Sequence, residues 1–277
     1  MTGRILEIED LSLGFGGLQV LRAVSLDVLR GKVTALIGPN GAGKTALLNC
    51  VSGIYRPQSG RVLFEGENLV GRSPERIARL GIARSFQNLE LFPSLTVIEN
   101  LLVARDHRFR GSVVEAAAFY GRVRRQEIEQ RGFVEKVIDF FELWPVRHVR
   151  AHDLPYGQQK IVGFARAMAA DPTLLLLDEP GSGLTRDEKE DLARFILRLR
   201  YDWEVSILWI EHDLQMVMDL ADRVHVLSAG QCIASGLPEA VRKVPAVIDA
   251  YVGNEAPLSD EVQQRITVLD DRSQLPL

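Results

Sequence analysis

The chain has 277 residues, 46% hydrophobic and 25% charged, with a formal net charge of -4. That length and balance suit one large or two small domains with a sizeable core and exclude a disordered, collagen-like or fibrous chain. The mild acidity excludes a global attraction to nucleic acid or anionic lipid; Cys50 and Cys232 are too few and too far apart for a disulfide framework, which points to a reducing compartment.

Met1 to Asp10 carries charges where a signal peptide has its apolar stretch, and no apolar run approaches the roughly 20 residues that span a bilayer, so a cytosolic protein is expected. Ile5 to Phe15 alternates apolar and polar residues, Gly16-Gly17 marks a turn, and Leu18 to Val28 alternates again, which predicts an antiparallel hairpin. Lys32 to Ile37 is instead a continuous apolar run ending in Gly38, the pattern of a strand buried on both faces. A glycine-rich turn and an amphipathic helix to about Gly53 follow, then a strand over Gly60 to Gly66. Ser73-Pro74 reads as a helix N-cap with proline at the first helical position, closed by Gly81.

From Thr96 the character changes. Thr96-x-x-Glu99 is a capping box, and Val134, Val137, Ile138 and Phe141 recur at helical spacing in a strand-poor stretch that ends near Ala170. Then come a strand over Thr173 to Leu177, a helix over Thr185 to Tyr201 with Leu192, Phe195, Ile196 and Leu199 on one face, and a strand over Val205 to Ile210. Strands alternating with helices predict a parallel sheet covered on both faces. Arg223 to Ser235 reads as a hairpin around Ala229-Gly230, two short helices finish near Gly253, and the tail after Asn254 is polar.

Gly38-Pro39-Asn40-Gly41-Ala42-Gly43-Lys44-Thr45 fits G-x-x-x-x-G-K-[ST] between a buried strand and a helix, the context the motif requires. Its glycines let successive N-H groups face phosphates, the helix N-terminus adds positive potential, Lys44 reaches the β and γ phosphates, and the Thr45 hydroxyl suits Mg²⁺. Leu174-Leu175-Leu176-Leu177-Asp178-Glu179-Pro180 is an apolar strand ending in two carboxylates, where an open parallel sheet places ligand groups. Asp178 is suited to hold Mg²⁺, directly or through water, and Glu179 to polarise an attacking water.

Leu154-Pro155-Tyr156-Gly157-Gln158-Gln159, about 20 residues ahead of Asp178, resembles the signature motif of ATP-binding cassette (ABC) proteins. Gln87 resembles their Q-loop, His212 their switch histidine, and Ser182-Gly183-Leu184 their D-loop, while Phe15 sits where the family stacks an aromatic on adenine. The resemblance runs over roughly Ile5 to Gly253 and implies one ABC domain over residues 1–253 with a helical insertion over about 95–170, followed by a tail over 254–277. It implies an α/β fold: a P-loop NTPase (RecA-like) core with an antiparallel β-subdomain and an inserted α-helical subdomain. It also implies ATP and Mg²⁺ as cofactors, with Phe15, Gly38, Asn40, Gly41, Ala42, Gly43, Lys44, Thr45 and Ala46 on the nucleotide and Thr45, Gln87 and Asp178 toward the metal. Tyr156, Gly157 and Gln158 then serve a partner's nucleotide, and Glu179, His212, Gln87 and Lys44 carry out hydrolysis.

Arg76 to Pro93, Tyr156 and the ending Ala250-Tyr251-Val252-Gly253 resemble the cassettes of high-affinity branched-chain amino acid importers. Such importers pair two different cassettes, a pair of identical ones being the alternative, with two transmembrane permease subunits and a periplasmic or extracellular binding protein. This chain would then lie at the cytoplasmic face of the inner membrane. Urea, amides or aromatic acids are the alternative cargoes. An ABC ATPase of DNA repair is the rival class, but it places long coiled coils where this chain has about 65 residues between Gln87 and Leu154. Three positions depart from the family: Pro155 replaces the signature serine, Thr185 replaces the D-loop aspartate and opens a capping box with Glu188, and Ala46 replaces a second threonine after Thr45. Phe86, Leu89, Leu91 and Phe92 are expected to help form a groove for a helix of the membrane subunit. Arg122, Arg124, Arg125, Arg147 and Arg150 make the insertion locally basic.

Overall fold

Alternation of apolar and polar residues makes β1 (Arg4–Phe15) and β2 (Leu18–Leu29) a hairpin with one buried face. In the computed structural model, which describes residues 3–85, 91–105 and 122–252 (122–126 and 252 by backbone alone), Phe15 pairs with Leu18 across Gly16 and Gly17. Both glycines have positive φ, +52° and +88°, as a two-residue turn matched to strand twist requires. After β3 (Val33–Ile37) and α1 (Lys44–Val51), β4 (Ser59–Phe64) adds to the free edge of β1, and β5 (Glu67–Asn68) to β4, giving an antiparallel sheet in the order β2-β1-β4-β5.

The continuous apolar runs form the second sheet. After α2 (Pro74–Arg79), its strands are β3, β6 (Ile82–Ser85), β7 (Leu174–Asp178), β8 (Ser206–Ile210), β9 (Arg223–Ser228) and β10 (Gln231–Gly236). Their order is β10-β9-β3-β8-β7-β6, parallel except for the β9–β10 hairpin. Every residue of β3, β7 and β8 is buried, and consecutive residues serve opposite faces. Leu174 and Leu176 join Leu6, Leu21 and Leu47 in one core; Leu175 and Leu177 join Val162, Phe164 and Phe195 in the other.

That second core belongs to the helices α3 (Val97–Val103), α4 (Arg122–Phe140), α5 (Tyr156–Ala169) and α6 (Arg186–Asp202). Val134, Val137, Ile138 and Phe141 are all buried there. Phe141 packs edge-on to Phe164, and it lies 5.0 Å, ring to ring, from Phe195. Thr96 and Thr185 both form complete capping boxes, with Glu99 and Glu188. Ser73 stands at the N-cap of α2 with Pro74 behind it, but its side chain makes no capping hydrogen bond. The described chain finishes with α7 (Leu214–Leu220), which precedes β9, and with α8 (Pro238–Val241) and α9 (Pro245–Val252). The expected tail and Gly253 lie outside the described residues.

Candidate active site

Three loops leave the sheet at one rim. Ile210 pairs with both Leu36 and Asp178, so the turns after β3, β7 and β8 emerge side by side at the carboxyl ends of the strands. The first turn is 38–43. Its glycines have φ of +147° (Gly38), +77° (Gly41) and +102° (Gly43). Gly43 also caps α1 without a side chain, leaving that turn's N-H groups unsatisfied by any cap. Asn40 and Gly41 are exposed, Ala42 is buried, and its carbonyl accepts from Gly230 N-H, which ties the loop to the β9–β10 turn. Lys44 is buried, and its Nζ donates to the Gly38 and Pro39 carbonyls at 2.7 and 3.0 Å. Burial pushes its ammonium below the usual lysine range, while Glu179 and Asp178 pull it back up.

Asp178 is buried at the end of β7, and its Oδ1 lies 3.5 Å from Thr45 Oγ1, on a threonine that is itself exposed. Glu179 follows with φ of +50°, an uncommon backbone state for a residue with a side chain. Its N-H donates to the Ile210 carbonyl and its Oε1 meets Nε2 of His212 in a close contact, although the two residues are 33 positions apart. Among the described residues no cluster of three or more His, Cys, Asp or Glu could hold a metal. A hydroxyl and one carboxylate fit Mg²⁺, which keeps waters and takes phosphate oxygens beside one or two protein ligands.

Phe15 stands half-exposed at the tip of the β1–β2 hairpin, edge-on to Tyr55 with ring centroids 5.2 Å apart. The same hairpin touches the phosphate loop: a Cβ on Gly43 would meet Leu21 Cδ2 at 2.8 Å and Val20 O at 3.0 Å. Ala46, one residue past Thr45, is partly buried against the core shared with the antiparallel sheet. Gln87 lies outside the described residues, as do Phe86 and Leu89. Tyr156 and Gln158 are exposed and Gly157 is buried in the first turn of α5, whose N-cap, Pro155, supplies no side-chain bond. This turn faces residues 182–183 of its own chain. Lys160 Nζ donates to Ser182 O at 2.5 Å, and a Cβ on Gly183 would meet Tyr156 Cε1 at 3.3 Å. The side chains of Arg122, Arg124 and Arg125 are not among those described; Arg147 stacks on Trp144 at 3.7 Å.

Three residues of the site escape sequence reasoning. Arg84 of β6 reaches Asp178 with Nη2 to Oδ2 at 2.7 Å; an arginine that follows two apolar residues of a short strand, Ile82 and Ala83, is the signal, since such a charge needs a partner. Glu211, buried, accepts from His212 N-H at 3.2 Å and Gly181 N-H at 3.4 Å, bridging the turns after β8 and β7. Lys160 has no signal in the sequence that separates it from a surface lysine.

Fold and site define a P-loop nucleotide-binding protein. Residues 21–182 match the ABC transporter family. The chain is 39% identical over 253 residues to the high-affinity branched-chain amino acid transport ATP-binding protein BraF of Pseudomonas aeruginosa, covering 91% of this chain and 99% of that protein. It is 37% identical, with the same coverage, to the corresponding protein LivG of Escherichia coli. Among solved structures it is similar to the ADP conformation of MJ1267, an ATP-binding cassette of an ABC transporter, at a TM-score of 0.79 and 31% identity over 91% of this chain and 100% of that one. The chain belongs to the ABC transporter family and is one of its ATP-binding, ATP-hydrolysing cassettes.

Proposed function

We propose that this cassette powers the import of branched-chain or related amino acids by hydrolysing ATP with Glu179 as general base. The observation that carries the catalytic part is the Glu179–His212 contact beside the loop that bears Lys44. Glu179 takes the proton of a water aligned with the γ-phosphorus, the water oxygen forms the new P–O bond, and ADP leaves. His212 holds the Glu179 carboxylate, and Lys44 exchanges its carbonyl partners for phosphate oxygens. Gly38, Asn40, Gly41, Ala42, Gly43, Thr45 and Ala46 bind through the loop and first helical turn, and Phe15 offers an aromatic face to adenine. Thr45, Asp178 and Gln87 would hold a Mg²⁺ that comes with the nucleotide or orient its waters, and the metal would neutralise charge on the phosphates.

A second cassette, identical or different, completes the site. Tyr156, Gly157 and Gln158 lie at a helix start whose cap, Pro155, supplies no side-chain bond, and this supports their serving a phosphate of the partner's nucleotide. A cavity of about 300 Å³ between α2, β6 and α5, lined by Ile54, Ile77, Ile82, Ile161 and Phe164, supports docking of a helix from one of two permease subunits. Arg166, which also lines the cavity, places its guanidinium 5.0 Å over the Phe92 ring. An extracytoplasmic binding protein would deliver the cargo to those permeases. The cargo reading is supported by the named transport role of BraF and LivG.

Glu179→Gln tests both parts. Purified, it is expected to bind ATP normally while turnover falls at least about 100-fold; in cells it is expected to abolish uptake of labelled leucine. Equal turnover in both forms removes Glu179 from the mechanism, and loss of urea uptake with leucine uptake intact reassigns the cargo.

A further inference from the structure

Arg84 and Asp178 form a buried ion pair, and of the two only Asp178 has a task in the proposed hydrolysis. Arg84 lies on β6 opposite Leu176 of β7, and its side chain extends along the neighbouring strand to the carboxylate two residues further on. The two side chains are 7% and 2% exposed. The other end of the fork, Nη1, donates to Asn49 Oδ1 at 2.5 Å and lies 3.3 Å from Ser52 Oγ. One guanidinium thus ties two strands to the helix that carries Thr45. Asp178 is divided by this arrangement: Oδ2 is taken by Arg84, and Oδ1 faces Thr45.

A carboxylate with one oxygen held by a fixed guanidinium has one oxygen left for a cation, and that cation sits in the arginine's positive field. Resting on the reading of 38–45 as a magnesium-nucleotide site, we propose that Arg84 is a positioning residue that aims Oδ1 of Asp178 at the metal and, as its resident counter-charge, weakens the carboxylate's hold on the metal. The pair also gives the buried carboxylate a fixed counter-charge between nucleotides, and breaking such a pair is strongly destabilising. A metal held this loosely by protein is held mainly by the phosphates and departs with them. A brace between α1 and the sheet, with no effect on the metal, is the competing role.

Titrating the whole chain with a fluorescent ADP, in Mg²⁺ and again in EDTA, reads the metal's contribution as the dissociation constant in EDTA divided by that in Mg²⁺. Arg84→Met removes the charge at similar length, and the ratio is expected to rise by about tenfold or more. Arg84→Gln, which keeps a donor toward Asp178, carries the same expectation should the methionine variant not fold. Arg84→Lys keeps the charge and should stay near the wild-type ratio. In thermal unfolding the neutral variants should melt lower without ligand and recover more than wild type when Mg²⁺ and ADP are added. An unchanged or smaller ratio in the neutral variants, or an equal rise in the lysine variant, overturns the proposal and leaves Arg84 a brace. Wild-type protein that binds no fluorescent ADP, or binds it alike in Mg²⁺ and EDTA, overturns the nucleotide-site reading itself, and this is seen without any variant.

Discussion

A Cβ on Gly38 would lie 1.9 Å from the carbonyl oxygen of Leu227, at a φ of +147° that side-chain-bearing residues rarely adopt. The obstacle is backbone of a central strand, so neither side can yield. A Cβ on Gly157 would come as close, 1.7 Å, but to Oε1 of Glu188, the far end of a flexible side chain, and there the backbone is not left-handed. Equal crowding thus predicts unequal outcomes. Gly38→Ala is expected to lose about 3 kcal/mol or more of stability, or to fail to fold. Gly157→Ala should stay within about 1 kcal/mol of wild type, because helix propensity offsets a loosened capping box. Urea unfolding of the two variants checks both, and equal losses would refute the distinction. Cys50 is a further residue-scale case: burial on α1 raises its thiol to about 11, so it acts as core and not as a nucleophile.

Between elements, β2 of one sheet packs against β10, β3 and β8 of the other, and two side chains of β9 also reach it. His225 of β9, almost wholly buried, bonds the Asp27 carbonyl of β2 at 2.8 Å, and Arg223 reaches the Asp27 carboxylate at 3.0 Å. Burial lowers the His225 imidazole below its usual 6.5, more than the Asp27 carbonyl and carboxylate raise it, with Arg223 adding to the lowering. The unfolded chain therefore binds a proton near pH 6.5 that the folded chain refuses until lower pH. Stability from this group is complete above 6.5 and is lost as pH falls through the folded value. Melting temperature is expected to drop as pH is taken from 7.5 toward 5.5, and His225→Asn to flatten that slope; parallel slopes in the two proteins would refute it. Secondary elements were largely legible from sequence, since turn glycines, capping boxes and apolar period act within a few residues. The N-cap role of Ser73 was legible too, but not its missing hydrogen bond, which depends on where the side chain is drawn after folding.

At the scale of the whole molecule, the turn at 155–160 contacts residues 180–188 of its own chain and starts a helix with no side-chain cap, and the proposed function gives that helix start to a second cassette. Specific ATPase activity is therefore expected to rise with protein concentration and to level off as pairs form, with Glu179→Gln accumulating as a nucleotide-bound pair in light scattering. Activity per chain that does not vary with concentration, in a protein that stays monomeric, would refute this.

By itself the sequence determined the phosphate loop, the buried strands, the hairpins and the capped helices, because each rests on interactions among near neighbours whose spacing is fixed by backbone geometry. Only the tertiary structure decided that Arg84 would hold Asp178, that Glu179 would meet His212, and that Glu211 and Lys160 would clasp the turn at 181–182. Those partners lie 94, 33, 30 and 22 positions apart. The strand order β3-β8-β7-β6 brings them to one rim, and that order follows from which apolar faces cover one another, a property of the packed molecule and not of any local run of residues.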